Sequence, residues 1–172
     1  MWVIWAVCAI VLLFGFVVFR GAPYVPSQKR YIKQALSELY PLSDRDTLVD
    51  AGSGDGVVLR VASRFGAKAV GYELNPALVA ISRLLSRRDN KVVIHLADFW
   101  LIKMPPETTV VYGFMVTRDM PKMVKKMQSE ANRIGHTIHF LTYGNEIARL
   151  KPDLTVGGYH RYEFHPLHAD KA

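Results

Sequence analysis

Apolar residues along this chain form one long N-terminal run, followed by shorter runs that alternate with helical patterns. Residues 2–19 carry no charged or strongly polar side chain and are rich in Val, Ile, Leu, Phe and Trp. From residue 47 onward, short apolar runs alternate with stretches in which apolar residues recur every three to four positions, a pattern typical of a parallel sheet with helices on both faces. The pattern therefore predicts an apolar N-terminal segment and one α/β domain.

The elements predicted for this domain have definite positions. Five strands are predicted near residues 47–50, 68–73, 91–96, 108–113 and 137–143. Helices are predicted over residues 28–40, from Gly56 to Gly66, from Pro76 to about Arg87 and from Pro121 to about Asn132. Ser27 is the expected N-cap of the first helix, and Leu78, Ile81 and Leu85 are expected to point inward from the third. The tail predicts a turn at Gly157-Gly158 and a strand after it.

The N-terminal run is long enough to cross a membrane. Eighteen residues at about 1.5 Å each approach the roughly 30 Å of a hydrocarbon core. A cleaved signal peptide or a buried helix is the alternative, but a signal peptide normally carries basic residues before its apolar part. Here the basic residues follow the run, which predicts a single-pass anchor with the N-terminus outside and the domain cytoplasmic. These residues are Arg20, Lys29, Arg30 and Lys33.

The composition limits the class of partner. With 172 residues the chain has room for one ordinary domain and a short appendage. The 22 Lys and Arg against 15 Asp and Glu give a net charge of +7, which favours an anionic partner. Because the basic residues lack interleaved aromatics, a lipid surface is favoured over nucleic acid, although a merely solvated surface is an alternative. The single cysteine, Cys8, excludes an intramolecular disulfide.

Residues 50–56 form a glycine-rich turn between the first strand and the helix after it, with the sequence Asp-Ala-Gly-Ser-Gly-Asp-Gly. Glycines let the backbone turn sharply and approach a ligand closely, which predicts a nucleotide-like cofactor. In dinucleotide-binding loops a pyrophosphate lies at the helix N-terminus, where a carboxylate would repel it. S-adenosylmethionine has no phosphate and carries an ammonium and a sulfonium, which Asp50 and Asp55 are expected to complement. The alternative for either acid is that it caps the N-terminus of the helix that follows.

Two further acids follow the next two strands. Glu73 is expected to accept hydrogen bonds from the ribose hydroxyls, and Asp98 from the adenine amino group. Phe99 or Trp100 is expected to cover the adenine ring. Each acid alone has a structural alternative, as a solvated strand end or a turn cap, but together with the glycine loop they line the edge where open α/β sheets bind ligands. The sequence therefore predicts S-adenosylmethionine as the cofactor.

Several stretches resemble a known family. Residues 50–56, residues 71–76 (Gly-Tyr-Glu-Leu-Asn-Pro) and residues 98–100 (Asp-Phe-Trp) resemble the protein-lysine methyltransferases that modify the mitochondrial ADP/ATP carrier and the ATP synthase c-subunit, together with their short prokaryotic relatives. Residues 23–27 also resemble that family's motif after a hydrophobic segment. The resemblance covers roughly residues 20–145, and the sequence departs from the family's pattern after Tyr143.

The resemblance implies a Rossmann-like class I methyltransferase sheet of the mostly parallel, seven-strand type, and lysine side chains of membrane or membrane-adjacent proteins as substrates. We expect residues 1–20 to form the transmembrane anchor, residues 21–46 a linker and pre-core helix, and residues 47–172 the methyltransferase domain. The residues expected to bind the cofactor are Tyr24, Asp50, Gly52, Ser53, Gly54, Asp55, Gly56, Glu73, Leu74, Asn75, Asp98 and Phe99.

The methyl acceptor is expected to enter where the fourth and fifth strands end. Tyr112, Gly113 and Tyr143 are the candidates for this channel. The alternative for the two tyrosines is that they are ordinary aromatic residues of a strand. An apolar aromatic channel would favour loss of the proton from a lysine ammonium, and no dedicated base is assigned. The fourth strand carries no Asn/Asp-Pro-Pro-Tyr string, which argues against amino groups of nucleobases or glutamine as acceptors. A metal site is not expected.

Two other functions stay open at this point. One is methylation of a lipid or a lipophilic small molecule, because an anchor would confine the site near the bilayer. The other is a non-catalytic module that binds S-adenosylmethionine, against which the intact loop and its acids argue.

Overall fold

The computed structural model describes residues 1, 2, 4, 5 and 28–167. Helix α1 spans Lys29–Gln34 and continues as a π-helical turn over Ala35–Leu39. The strands are β1 (Thr47–Ala51), β2 (Lys68–Glu73), β3 (Val92–Leu96), β4 (Val110–Tyr112), β5 (Ile138–Tyr143), β6 (Leu154–Val156) and β7 (Tyr159–Phe164). The remaining helices are α2 (Val57–Arg64), α3 (Pro76–Ser86), a 3₁₀ turn (Thr117–Asp119) and α4 (Met120–Ile134).

The seven strands form one sheet in the order β3-β2-β1-β4-β5-β7-β6. Strands β1 to β5 are parallel, whereas β7 runs antiparallel to both β5 and β6. The strand order reverses between β1 and β4, which are neighbours in the sheet. Ligands of open α/β sheets bind at such a reversal, outside the carboxyl ends of the strands. The fold thus points to the loop after β1 as a binding region.

Two apolar clusters cover the two faces of the sheet. One contains residues of α1, α2 and α3 packed on β1 and β2, and the other contains the methionines Met123 and Met127 of α4. Helix α1 belongs fully to the first cluster, because Ile32, Leu36 and Leu39 have no exposed surface. Burial of such side chains contributes roughly 1.5–3 kcal/mol each. The segment before β1 is therefore packed as part of the core.

A buried ionic network replaces the helix that is missing between β3 and β4. Glu130 of α4 is 6% exposed and accepts a hydrogen bond from the Met104 backbone N–H at 3.2 Å and from Arg133 Nε at 2.9 Å. Arg133 also donates to the Met104 carbonyl, and Lys126 donates to the Ile102 carbonyl. These contacts fix the connection between β3 and β4 against α4 without secondary structure of its own.

The predicted strands agree with the structure to within two residues, and the mostly parallel seven-stranded sheet is confirmed. Two local predictions were wrong, and one strand was missed. Gln28, not Ser27, occupies the N-cap position of α1, and its side chain makes no capping hydrogen bond. Strand β6 was not predicted. In α3 the buried residues are Val79, Ser82 and Ser86, while Ile81 and Leu85 are exposed. The small serines lie inward because α3 approaches the glycine loop closely: a Cβ added at Gly56 would lie 2.1 Å from Ser82 Oγ.

The predicted anchor and Tyr24 fall almost entirely outside the described residues. Within the described part of the chain, every helix is too short or too polar to cross a membrane. The anchor therefore stays a prediction.

We expect Glu130→Gln to lower the free energy of unfolding by about 2 kcal/mol, because it removes the buried carboxylate that pairs with the partly exposed Arg133 and with the mostly buried Lys126. Denaturant unfolding followed by circular dichroism measures this loss. Asp119→Asn is the control, since it breaks an ion pair with the exposed Arg118 and should change stability by about 0.5 kcal/mol or less. Equal effects of the two substitutions would contradict the role given to the network.

Candidate active site

The acids predicted from the sequence converge on one edge of the sheet. In the parallel register Asp50 lies opposite Gly71 of β2 and Tyr112 of β4, and Glu73 lies opposite Leu96 of β3. Asp98 follows the end of β3 by two residues. The carboxyl ends of these strands meet at the same edge, so the three acids and the glycine loop border one region.

The glycine loop has the backbone conformation that its glycines predict. Gly52, Gly54 and Gly56 all have positive φ, at 104°, 52° and 78°. The backbone N–H groups of Gly52 and Ser53 both donate to the Tyr72 carbonyl at 3.0 Å, which holds the loop against the end of β2. A Cβ added at Gly52 would meet nothing within 4 Å. The loop is thus fixed on its inner side and open at Gly52, where a ligand can approach the backbone.

Asp50 is the electrostatic centre of this edge. Its side chain is only 3% exposed. Burial, followed by the nearby charges of Glu73 and Asp55, raises the pKa of Asp50 to about 8. Among the described residues, no group donates a hydrogen bond to its carboxylate and no cation pairs with it. A buried carboxylate in this position favours a positively charged ligand.

The other two acids near the loop already have partners. Asp55 pairs with Arg60 at 3.1 Å and accepts from the backbone N–H of Val57 at 3.3 Å, so its placement favours the capping alternative. Glu73 accepts from the backbone N–H groups of Gly54 at 2.9 Å and Asn75 at 2.8 Å. Glu73 therefore ties the loop after β1 to the loop after β2, while remaining partly exposed.

The region after β3 supplies aromatic surface. Asp98 accepts from the backbone N–H of Trp100 at 2.9 Å. Phe99 is 6% exposed and packs in the second apolar cluster, 6.2 Å from the Tyr72 ring. Trp100 is partly exposed, and the ammonium of Lys122 lies 4.2 Å from its ring centroid. Of the two rings proposed to cover an adenine, Trp100 offers the accessible surface.

The strand ends on the acceptor side carry a cluster of three tyrosines. Tyr112 of β4 and Tyr159 of β7 are both buried, with their hydroxyl oxygens 3.1 Å apart. Tyr143 of β5 is 43% exposed, and its ring centroid lies 4.9 Å from that of Tyr159. Burial raises the pKa of Tyr159, so its phenol stays protonated at neutral pH. Gly113 continues the edge by donating to the Leu141 carbonyl at 3.0 Å.

Sequence reasoning missed Tyr159. The only signal in the sequence was the alternation of aromatic residues after Gly157-Gly158, which predicted a strand but not its partner. In the structure β7 runs antiparallel beside β5, which pairs Tyr159 with Tyr143. Leu74 and Asn75 lie in the turn after β2, where the Asn75 side chain caps α3 by accepting from the N–H groups of Ala77 and Leu78. Within the described residues no cluster of His, Cys, Asp or Glu could hold a metal ion.

The model of one protein family matches residues 50–152, well over half of the chain, and its description is "ANTKMT methyltransferase domain". The chain belongs to this family. The ANTKMT-type domain thus includes the glycine loop, all four acids and the ends of β4 and β5. The methyltransferase and S-adenosylmethionine predictions are confirmed at the level of the family.

Individual relatives of this ANTKMT-family chain agree with the assignment. The lysine N-methyltransferase of the ATP synthase c-subunit from Xenopus laevis is 38% identical over 111 residues, which are 63% of this chain and 48% of that protein. Adenine nucleotide translocase lysine N-methyltransferase of Mus musculus is 35% identical over 112 residues, 63% of this chain and 48% of that protein. The chain spans about half the length of these curated relatives.

A solved structure shows the same fold. The RNA methyltransferase from Salinibacter ruber, crystallised with S-adenosyl-L-homocysteine, aligns with a TM-score of 0.72 and 24% identity, covering 86% of this chain and 98% of that one. At this identity the likeness establishes the fold alone.

The protonation of Asp50 should make the ligand-free protein less stable as pH rises. The folded state holds a proton on Asp50 up to about pH 8, whereas the unfolded chain releases it near the ordinary value of 3.8. The stability that this proton provides is complete below about pH 4 and is lost as pH rises toward 8. We expect the wild type to lose about 2 kcal/mol relative to Asp50→Asn between pH 6 and pH 8. Denaturant unfolding at each pH measures the difference.

Ser53→Ala is the matched control in the same loop. The Ser53 hydroxyl is buried, has no hydrogen-bond partner among the residues that the structure describes and does not ionise in this range, so this variant should keep the pH dependence of the wild type. If Asp50→Asn and the wild type lost stability in parallel, Asp50 would not carry the raised pKa.

Proposed function

We propose that the chain is an S-adenosylmethionine-dependent methyltransferase that modifies lysine side chains of a membrane or membrane-associated protein. The observation that carries this proposal is the buried Asp50 carboxylate, which has no cationic partner among the described residues and lies beside an open glycine loop. The family membership supports methyl transfer. The names of its relatives, which are lysine N-methyltransferases of the ATP synthase c-subunit and of the adenine nucleotide translocase, support the substrate class.

The residues present suit this cofactor. When bound, S-adenosylmethionine supplies an electrophilic methyl group on a positively charged sulfur. Asp50 is suited to the cationic part of the molecule, and the open backbone at Gly52 to its close approach. A pyrophosphate would instead meet three carboxylates within one small region, so a dinucleotide does not fit.

The proposed contacts for the adenosine part follow the strand order. We assign the ribose to Glu73, with Leu74 and Asn75 bordering it, and the adenine to Asp98 and the surface of Trp100. Ser53, Asp55, Gly56 and Phe99 shape this seat from the loop and from the core. Tyr24 is proposed as a further contact on the strength of the family resemblance of residues 23–27.

The acceptor is proposed to enter beside Tyr112, Gly113 and Tyr143, with Tyr159 as a fourth member of the wall. A lysine amine attacks only when it is neutral, and an apolar aromatic wall favours the neutral form by removing water from the ammonium. In-line transfer then depends on holding the amine and the methyl group about 3–3.5 Å apart. The tyrosine hydroxyls are suited to orient the amine rather than to remove its proton.

The membrane location is part of this proposal. Residues 2–19 are proposed to span a bilayer with the N-terminus outside, and residues 47–172 to form the catalytic domain on the cytoplasmic side. The support is the length of the uncharged run and the basic residues that follow it. Helix α1, which packs in the core, would then link the anchor directly to the domain.

Binding of the cofactor should release a proton at pH 6.5. The cationic ligand lowers the pKa of Asp50, so a carboxyl that is protonated in the free protein becomes charged in the complex. Calorimetry in buffers of different ionisation enthalpy measures this release, which we expect to approach one proton. The demethylated product, which keeps its ammonium group, allows the same measurement.

Asp50→Asn should bind about 10- to 100-fold more weakly and release no proton, because it loses one charge-assisted hydrogen bond. Ser53→Ala should release the same number of protons as the wild type. Binding of a dinucleotide in place of these compounds would contradict the cofactor assignment.

Methyl transfer itself is tested with the full chain, methyl-labelled S-adenosylmethionine and membranes of the host. We expect label in a protein band, stable to lipid extraction and identified as methyl-lysine by mass spectrometry. Asp50→Asn and Glu73→Ala should lose this label, whereas Ser129→Ala, on the exposed side of α4, should keep it. Label in the lipid extract would identify a lipid methyltransferase instead, and cofactor binding without any transfer would identify a binding module.

A further inference from the structure

Helix α3 exposes an apolar face that nothing in the described part of the chain covers. Ile81, Leu84 and Leu85 are 46%, 59% and 55% exposed. Their spacing of three and four residues places them on one side of the helix. The opposite side, with Val79, Ser82 and Ser86, packs on the sheet. We call the surface of Ile81, Leu84 and Leu85 the α3 face.

The α3 face differs from the exposed side of α4, the long helix on the other side of the sheet. The exposed residues of α4 are polar or small, including Lys122, Lys125 and Ser129, and its large apolar side chains point inward. Both helices lie on the same sheet and meet the same solvent. The apolar surface of α3 therefore does not follow from its place in the fold.

The charges around the α3 face are positive. Helix α3 contains no acidic residue, and Arg87 and Arg88 follow directly at its end, both exposed. Both arginines lie in the turn directly after the last helical residue, Ser86, within three residues of Leu85 along the chain. Arg83 is held at the free edge of β3 by donating to the Ile94 carbonyl at 2.8 Å and does not reach the face.

Helix α1 lies on the same face of the sheet as α3. Helix α1 packs against α2 in the apolar cluster that includes Val79 of α3, so both helices lie on one face of the sheet. Helix α1 exposes Lys29, Arg30 and Lys33, and the uncharged run of residues 2–19 ends only ten residues before it. Two groups of basic residues and one apolar surface thus lie on the same face of the sheet.

We propose that the α3 face rests on an anionic lipid bilayer, with Ile81, Leu84 and Leu85 in the boundary between headgroups and acyl chains and Arg87 and Arg88 at the phosphates. An amphipathic helix with large apolar residues on one side and basic residues at its border is suited to this position. The contact would orient the domain on the membrane surface. It goes beyond the proposed function, because it depends neither on cofactor binding nor on the identity of the acceptor.

The test places a fluorescent reporter on the face in the full-length protein. In a Cys8→Ser background, which removes the only cysteine, Leu84→Cys is labelled with an environment-sensitive fluorophore. Ser129→Cys on α4 is the matched control, and Ile81→Cys is a second reporter of the α3 face. Each protein is added to vesicles of phosphatidylcholine with phosphatidylglycerol, and to vesicles that also carry a nitroxide-labelled lipid. All sites are exposed, so the labels should leave the fold intact, which a thermal melt verifies.

We expect the labels at positions 84 and 81 to shift to the blue and to be quenched by the nitroxide lipid, while the label at position 129 stays in water. Replacing Arg87 and Arg88 by Gln should weaken the association of the face with the bilayer by roughly fivefold per arginine. Pure phosphatidylcholine should weaken it in the same direction. A blue shift without nitroxide quenching would mean that the N-terminal segment or a second copy covers the face, and would overturn the proposal. Labels in water at all three positions, or equal quenching at all three, would overturn it as well.

Discussion

A buried carboxylate without a cation among the described residues is the constraint on which the rest of the site depends. Asp50 lies at the end of the central strand, where burial and two neighbouring acids disfavour its charge. Taking an isolated carboxylate out of water is costly, and the group shifts its pKa rather than remain ionised alone. Asp55 is paired with Arg60, and Glu73 accepts backbone hydrogen bonds. Asp50 is therefore the acid of this edge that a cationic ligand could pair with, and it lies beside the open backbone of Gly52.

The surrounding structure holds this arrangement rigid. Gly52 and Ser53 share the Tyr72 carbonyl, Glu73 joins two loops, and Asp46 accepts from Tyr40 and Thr109 at the opposite end of β1. Between β3 and β4, the Glu130 network takes the place of a helix. Because each loop at the binding edge is tied to a strand or to α4, the positions of the acids are set by the sheet register. A ligand would therefore meet a site that is already formed.

The sequence predicted best those elements whose structure depends on residues close together along the chain. The strands and the glycine loop were predicted because apolar runs and glycines act through the backbone close by. The inward side of α3 was mispredicted because apolar periodicity usually marks the buried side of a helix, whereas close packing on Gly56 requires serines there. Tyr159 was missed because its position depends on pairing with β5, which is a long-range contact. The ion pair of Asp55 with Arg60 could not be read from composition either, since either acid of the loop was a possible ligand.

The charge of the protein bears on how a lysine substrate would reach it. With a net charge of +7, the surface as a whole repels a cationic side chain, and long-range steering would slow rather than speed such an encounter. Within the site the local charge is negative and attracts a cation, but salt limits the attraction of a few carboxylates to a short distance. Holding enzyme and acceptor on the same bilayer removes the need for steering, because it raises the effective concentration of one near the other. On the proposed membrane location, the basic surface would have a separate role at the anionic lipid, and the acidic edge would be left for the cofactor. This division between exterior and site would let a basic protein act on the proposed lysine substrate.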